Sequence, residues 1–253
     1  MLKLRIIPTL LFRQFGLVKG VSFSNDRQVG PIMPAVKVYC ARDVDELAVF
    51  DVNAYRESKE PNYALVQEIS KECFVPLTIG GGITRVEQIE KLLEAGADKV
   101  SINSALFKNP SLINDAATRF GSQCVIASID VMRNDDYWIC KFGSGTIDSA
   151  KNPCQWAKEL EERGAGEILV TSIDNDGTMN GYDIELIQMV SESVKIPLIA
   201  GGGAGSAHHL IELFKNTSVS AAALASLFHF TQVTPNEIKR ELLKAGFPVR
   251  LDL

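Results

Sequence analysis

The chain reads as a (β/α)₈ barrel built from two similar halves, and three observations say so. Apolar runs of strand length alternate with segments of helical period along nearly the whole sequence, the pattern of a parallel sheet with crossover helices. Eight strand–helix units fit into 253 residues, the usual size of this barrel. The second half also echoes the first. PLTIGGGIT at 76–84 returns as PLIAGGGAG at 197–205, and SALF at 104–107 returns as ASLF at 225–228, both 121 residues on. An open doubly wound sheet is the alternative, but it gives no reason for the echo. We therefore expect one domain over 1–253, with half-barrels at about 1–120 and 121–253.

The strands are expected at 5–11, 46–51, 75–79, 99–103, 125–130, 167–172, 196–200 and 219–225. Helical patterns fall between them at 63–71, 86–95, 110–120, 155–163, 184–194, 207–214 and 235–244, with a weaker one at 35–42. Thr84 with Glu87 three residues on spells a capping box, and Asn109-Pro110 marks another helix start. Gly96 and Gly164 each follow a periodic run, where a left-handed cap belongs. Two connections are long. Residues 16–34 carry Lys19, Gly20 and Gly30-Pro31 and make a candidate lid, and 137–145 looks like a small hairpin on the same face.

Composition narrows the function classes. The net charge of −5 is spread among interspersed acids and bases, leaving no basic stripe for nucleic acid and no polybasic membrane anchor. No apolar run approaches the ~20 residues of a membrane span, and the MLKLRII start lacks a signal-peptide h-region, so a cytoplasmic protein is expected. Five cysteines, Cys40, Cys73, Cys124, Cys140 and Cys154, show no CxxC spacing and read as reduced, mostly buried thiols. His208, His209 and His229 are not at ligand spacing with acids or cysteines, so neither a metal nor another cofactor is expected, and the histidines read as surface or packing residues.

In such a barrel the chemistry sits at the C-terminal strand ends: Leu11, Asp51, the glycines at 80–82, Asn103 with Ser104, Asp130, Asp174 with Asp176, the glycines at 201–203, and Ala225 with Ser226. A strand, a glycine-rich turn and a helix form a phosphate cradle, because the glycines let backbone N–H groups approach an anion. Two copies imply two anion sites. Asp130 ends the apolar strand VIASID, an expensive place for a carboxylate unless it works or is paired. It is a candidate general acid or base, with capping or ion pairing as the bland reading. Its counterpart across the halves, 119 residues earlier, is Leu11. The turn Asp174-Asn175-Asp176-Gly177-Thr178 adds carboxylates at the barrel top, and Lys19 could clamp a phosphate. At the opposite face Arg5, Glu46, Lys99 and Glu167 stand at or near the starts of four strands. Pointing inward, they would close the barrel bottom as an ordinary salt-bridge network.

Motifs along almost the whole chain resemble the cyclase subunit of imidazole glycerol phosphate synthase, the HisF family: RIIP at 5–8, LVKG at 17–20, DELAVFDV at 45–52, GGGI at 80–83, GADKVSIN at 96–103, FGSQCV at 120–125, RGAGEILVTSID at 163–174, DGTMNGYD at 176–183, GGAG at 202–205, FHF at 228–230 and VRL at 249–251. The resemblance implies a barrel that takes ammonia from a HisH-like glutaminase docked at its bottom, as a heterodimer, and uses it in a cyclase-lyase reaction on a phosphorylated substrate at its top. It places one phosphate site on Gly82, Asn103 and Ser104 and the other on Gly177, Gly203, Ala225 and Ser226, with Asp176 beside it. Lys19 and Asp51 would contact substrate, and Asp130 would be one of two catalytic aspartates. Arg5, Glu46, Lys99 and Glu167 would gate ammonia entry, and Asp98 would face the glutaminase.

The departures lie at the chemical end. The family's first strand ends in an aspartate within a pattern like CLDVKDG, where this chain has Leu11 in PTLLFRQFG. Gly201 replaces a serine, and the lid reads GPIMPA rather than GDPVEL. Leucine cannot move a proton, and losing such a group typically costs ~10²–10⁴-fold in rate. The resemblance therefore leaves two readings, a paralogue that passes ammonia to another reaction and a working histidine-pathway lyase that uses another acid. A HisA-like isomerase would also want the missing aspartate.

Overall fold

The computed structural model describes residues 3–14, 16–42 and 44–251, so positions 1–2, 15, 43 and 252–253 of the expected 1–253 domain lie outside the described residues. In chain order the elements are β1 (Arg5–Arg13), β2 (Gly16–Val21), β3 (Ser24–Gly30), α1 (Ile32–Cys40), β4 (Leu47–Asp51), α2 (Tyr63–Glu72), β5 (Leu77–Gly80), α3 (Val86–Glu94), β6 (Lys99–Ile102), α4 (Ser111–Phe120), β7 (Val125–Asn134), β8 (Tyr137–Phe142) and β9 (Ile147–Asp148). There follow α5 (Pro153–Glu162), β10 (Glu167–Ser172), α6 (Ile184–Ser193), β11 (Leu198–Gly201), α7 (Ala207–Asn216), β12 (Ala221–Leu224), α8 (Ser226–Phe230) and α9 (Pro235–Lys244). Strands β1, β4, β5, β6, β7, β10, β11 and β12 pair in parallel, and the β12–β1 and β7–β10 pairings close them into a barrel. This is the (β/α)₈ fold read from the alternating pattern.

Alternation along each strand sorts the core into two parts. Residues such as Ile6, Leu47, Val49, Val100, Ile168 and Val170 face the helices and join the main core. The alternate positions Ile7, Ala48, Ile126, Leu169, Ile199 and Ala221 form a separate apolar cluster within the barrel. Amphipathic helices supply the outer layer, with Ile89 and Leu92 of α3 and Trp156 and Leu160 of α5 fully covered.

Local signals were followed in part. Gly96 and Gly164 take the expected left-handed conformation after α3 and α5. The Thr84/Glu87 capping box does not form. Gln88 Oε1 instead accepts the N–H groups of Thr84 (2.8 Å) and Arg85 (3.1 Å), since its carboxamide sits over the first turn of α3. The weak helix expected at 35–42 starts earlier, at Ile32, behind Pro31, whose extended backbone sets the entry. The stretch at 16–34 is not an irregular loop. It folds into the β2–β3 hairpin, hydrogen-bonded to the end of β1 through Phe12↔Leu17 and Arg13↔Gly16. The second hairpin forms as expected, with β8 antiparallel to β7. The echoed SALF and ASLF segments become one-turn helices, at Ser104–Phe107 and in α8.

Candidate functional site

At the C-terminal end of the barrel strands lies a cavity of about 210 Å³, walled by Leu11, Lys19, Asp51, Asn103, Asp130 and Asp176 and by both glycine turns. Strand register explains the convergence. Thr171 pairs with Asp130 and Ile102 with Ala127, so the ends of β6, β7 and β10 meet at one level. Asp130 is 9% exposed, and Asn103 Nδ2 donates to its Oδ2 at 2.7 Å. Burial, offset in part by Asn103 and reinforced by the Asp176 charge, pushes its carboxyl up to about 7. A carboxyl poised there can either give or take a proton near neutral pH. Leu11, on β1, also walls the cavity and offers it an apolar side chain.

Lys19, on β2, is 2% exposed and ion-paired with Asp176. Burial outweighs that contact and keeps the Asp176 carboxyl above its usual range. The hairpin that carries Lys19 is fastened over the cavity at the same point: Ser22 N–H donates to the Asp176 carbonyl at 2.8 Å, and Ser22 Oγ to the Asp174 carbonyl at 3.2 Å. Asp51 is already engaged, its Oδ1 accepting the N–H groups of Asn53 and Ala54 at 3.0 Å each.

The two glycine turns line the cavity from opposite sides, because β5 and β11 stand four strands apart in the eight-stranded ring. Gly203 has φ 106°, and a Cβ there would fall 2.0 Å from the Gly181 carbonyl oxygen, so no other residue fits without moving the backbone. On the first side Gly82, Asn103 and Ser104 come together, with Ser104 Oγ accepting the Gly143 N–H at 2.9 Å and so tying in the second hairpin. On the other side Gly203, Ala225 and Ser226 come together. Gly177 does not line the cavity; it stands behind the wall, where a Cβ would lie 2.2 Å from the Gly20 carbonyl. Ser226 Oγ, which can donate to an anion, and Asn103 Oδ1, which needs a donor, are buried with no hydrogen-bond partner among the described residues, a cost of ~1–3 kcal/mol each that a ligand carrying both an anionic oxygen and a hydroxyl or N–H would recover.

At the N-terminal end the four charged residues form a closed square. Arg5 Nη1 reaches Glu46 at 3.0 Å and Arg5 Nη2 reaches Glu167 at 2.6 Å, while Lys99 Nζ joins Glu46 at 3.0 Å and Glu167 at 2.5 Å. Thr78 Oγ1 adds a 2.7 Å bond to Glu46. Burial opposes the charge on Glu167, and its hydrogen bonds and charge contacts with Arg5 and Lys99 outweigh it, holding the carboxyl below its usual range. Directly above lies the apolar cluster around Ile7 and Leu169. Asp98 is exposed, and its Oδ2 accepts the Leu77 N–H at 2.8 Å. In the preceding turn Phe74 stands 87% exposed, a residue that sequence reasoning passed over because it adjoins an apolar strand and carries no polar signal.

His208 is exposed beside Glu212, His209 Nδ1 accepts the Gly205 N–H at 3.1 Å, and burial, with the Lys19 charge behind it, lowers His229 to about 4. Among the described residues no group of three or more His, Cys, Asp or Glu is placed to hold a metal ion, and no helix is long and apolar enough to cross a membrane. All five cysteines are free thiols.

A closed barrel with two glycine turns and one poised carboxyl at the C-terminal strand ends and a charged ring at its base defines a (β/α)₈ protein with its candidate site at that C-terminal face. Comparison with known proteins is more specific. Residues 5–234 match the family described as "Histidine biosynthesis protein". The imidazole glycerol phosphate synthase subunit HisF of Bacillus cereus (strain ATCC 10987 / NRS 248) is 43% identical over 252 residues, covering 99% of this chain and 100% of the relative. The subunit of the same name from Flavobacterium johnsoniae is 45% identical over 251 residues, covering 99% and 100%, and that of Streptococcus sanguinis 41% over 252, covering 99% and 100%. The chain belongs to the histidine biosynthesis protein family, and within it to the HisF group.

Proposed function

We propose that this chain is the synthase-type subunit of a two-subunit glutamine amidotransferase, receiving ammonia from a HisH-like glutaminase at its N-terminal face. In this reading it is one barrel domain whose halves meet near residue 120, each half supplying one anion cradle. The square of Arg5, Glu46, Lys99 and Glu167 acts as the ammonia gate. The apolar collar above it favours neutral ammonia over ammonium, because burying an uncompensated charge is costly. Asp98 and the exposed Phe74 support docking at this face, one offering a charge and the other an apolar anchor.

At the top, Gly82, Asn103 and Ser104 hold one phosphate of a phosphorylated ligand, and Gly203, Ala225 and Ser226 the other. Gly177 shapes the second cradle from behind. Lys19 and Asp176 position the ligand beneath the hairpin, and Asp51 borders it. The observation that carries the finer reading is Leu11. With no carboxyl there, Asp130 is left to do both proton transfers of a cyclisation alone. We infer that the ammonia leaves for another reaction, such as acetamidino-sugar formation in surface polysaccharide synthesis. The second reading, an active cyclase-lyase making imidazole glycerol phosphate, draws support from Asp130, whose carboxyl titrates near neutrality. Gene neighbourhood separates the two: nucleotide-sugar genes favour the conduit, histidine genes the lyase. The partnership itself is tested by titrating the chain into a HisH-like glutaminase and following glutamine hydrolysis. Stimulation on binding supports the assignment, and a glutaminase that neither binds nor responds removes it.

A further inference from the structure

The charged square does not hold itself in register. The β1–β4 ladder begins at Thr9↔Ala48, which leaves the Ile6 N–H on that side below the first backbone pair. At the same register offset stands Asp45, and its side chain takes the bond: Asp45 Oδ2 accepts the Ile6 N–H at 2.8 Å. Asp45 precedes Glu46, and Ile6 follows Arg5. One carboxylate thus fastens the backbones that carry two members of the square. Asp98 repeats the device two steps round the barrel, between β5 and β6, accepting the Leu77 N–H next to Lys99, but it does so in the open.

Asp45 differs in being buried and paired. Lys239 Nζ of α9 reaches Asp45 Oδ1 at 2.7 Å, with side-chain exposures of 1% for Lys239 and 7% for Asp45. A fully buried lysine is costly in a helix that could carry leucine there, and a buried ion pair is weak evidence for added stability. The pair lies outside the cavity and touches no member of the square directly. We propose that Asp45 and Lys239 are positioning residues for the gate: Lys239 holds the Asp45 carboxylate in the single orientation that staples β1 to β4 and so fixes the Arg5–Glu46 edge.

The proposal rests on the gate reading for its functional meaning, but its test reads ring geometry alone. Two double variants of the full chain remove both members of the Asp45–Lys239 ion pair together. Asp45→Asn with Lys239→Met retains an acceptor for Ile6, whereas Asp45→Leu with Lys239→Met removes it. The midpoint of the Glu167 carboxyl is followed by carbon-detected NMR, beside Leu242→Ala, which opens a cavity under the same helix while leaving Asp45 and Lys239 in place. The Leu/Met pair is expected to raise the Glu167 midpoint by ~1 unit as Arg5 loosens, and the Asn/Met pair by less than half of that. Equal shifts in both pairs, no shift in either, or the same shift in Leu242→Ala would overturn the proposal. Because no ammonia is involved, these outcomes stay distinct from failure of the gate reading itself.

Discussion

Replacing Asp130 by asparagine should stabilise this protein above neutral pH and do progressively less as the pH falls. The reasoning is linkage. The carboxyl moves from an ordinary 3.8 to about 7 on folding, so between those values the folded chain binds a proton that the unfolded chain has lost. Unfolding free energy therefore falls as pH rises through that window, and the whole penalty is present above it. A shift of that size corresponds to ~4 kcal/mol. Water penetration and relaxation reduce burial effects of this kind, so about half, ~2 kcal/mol, is the expected gain for Asp130→Asn at pH 8. For a chain of this length that is on the order of 5 °C in melting temperature. Asparagine keeps an oxygen for Asn103 Nδ2, so the 2.7 Å bond is retained. Calorimetry of both proteins at pH 4, 6 and 8 is the assay. A difference in melting temperature that stays constant across that range, or a variant that melts lower at pH 8, would refute the burial argument.

Three further expectations follow from the same geometry. Gly203→Ala forces a Cβ to within 2.0 Å of a carbonyl oxygen at a φ of 106°. It should cost ~1–3 kcal/mol in urea unfolding and weaken inorganic phosphate binding by calorimetry. Lys19→Met leaves the Asp176 carboxylate buried without its cation, so the loss should reach ~3–5 kcal/mol at pH 8 and shrink toward pH 4 as Asp176 takes up a proton; equal losses at both pH values would contradict it. Phe74→Asp should leave the melting temperature within ~1 °C of wild type while weakening glutaminase binding at least about tenfold, since an exposed aromatic gives little to the fold and much to an interface. Unchanged affinity would take Phe74 out of the docking face.

Much of this could be read before the structure, and the rest resisted for identifiable reasons. The strand 167–172 matches β10 end to end because a parallel strand buried on both faces reads as one apolar run. The β2–β3 hairpin was hidden because Ser24–Gly30 has no alternation and its Ser22-Phe23 turn, at φ 48° and 57°, lacks the Asn-Gly signature. Asp130 stood out as a carboxylate in an apolar strand, but Asn103, 27 residues away, becomes its partner only through the register of β6 on β7. Lys239 and Asp45, 194 residues apart, were equally silent. Leu11 was conspicuous in the sequence because the repeat shows what faces it. That the Lys19 hairpin would be fastened at Asp176 was not legible, since the Ser22 bonds go to backbone carbonyls.

The most direct measurement is a cyclase assay on the purified chain with ammonium and the phosphorylated aminoimidazole precursor, run beside Leu11→Asp. Our account predicts turnover in the wild type at least ~10²-fold below that of the variant, with the ligand still bound by both. Wild-type turnover equal to the variant's would contradict it and place the chain among working histidine-pathway lyases.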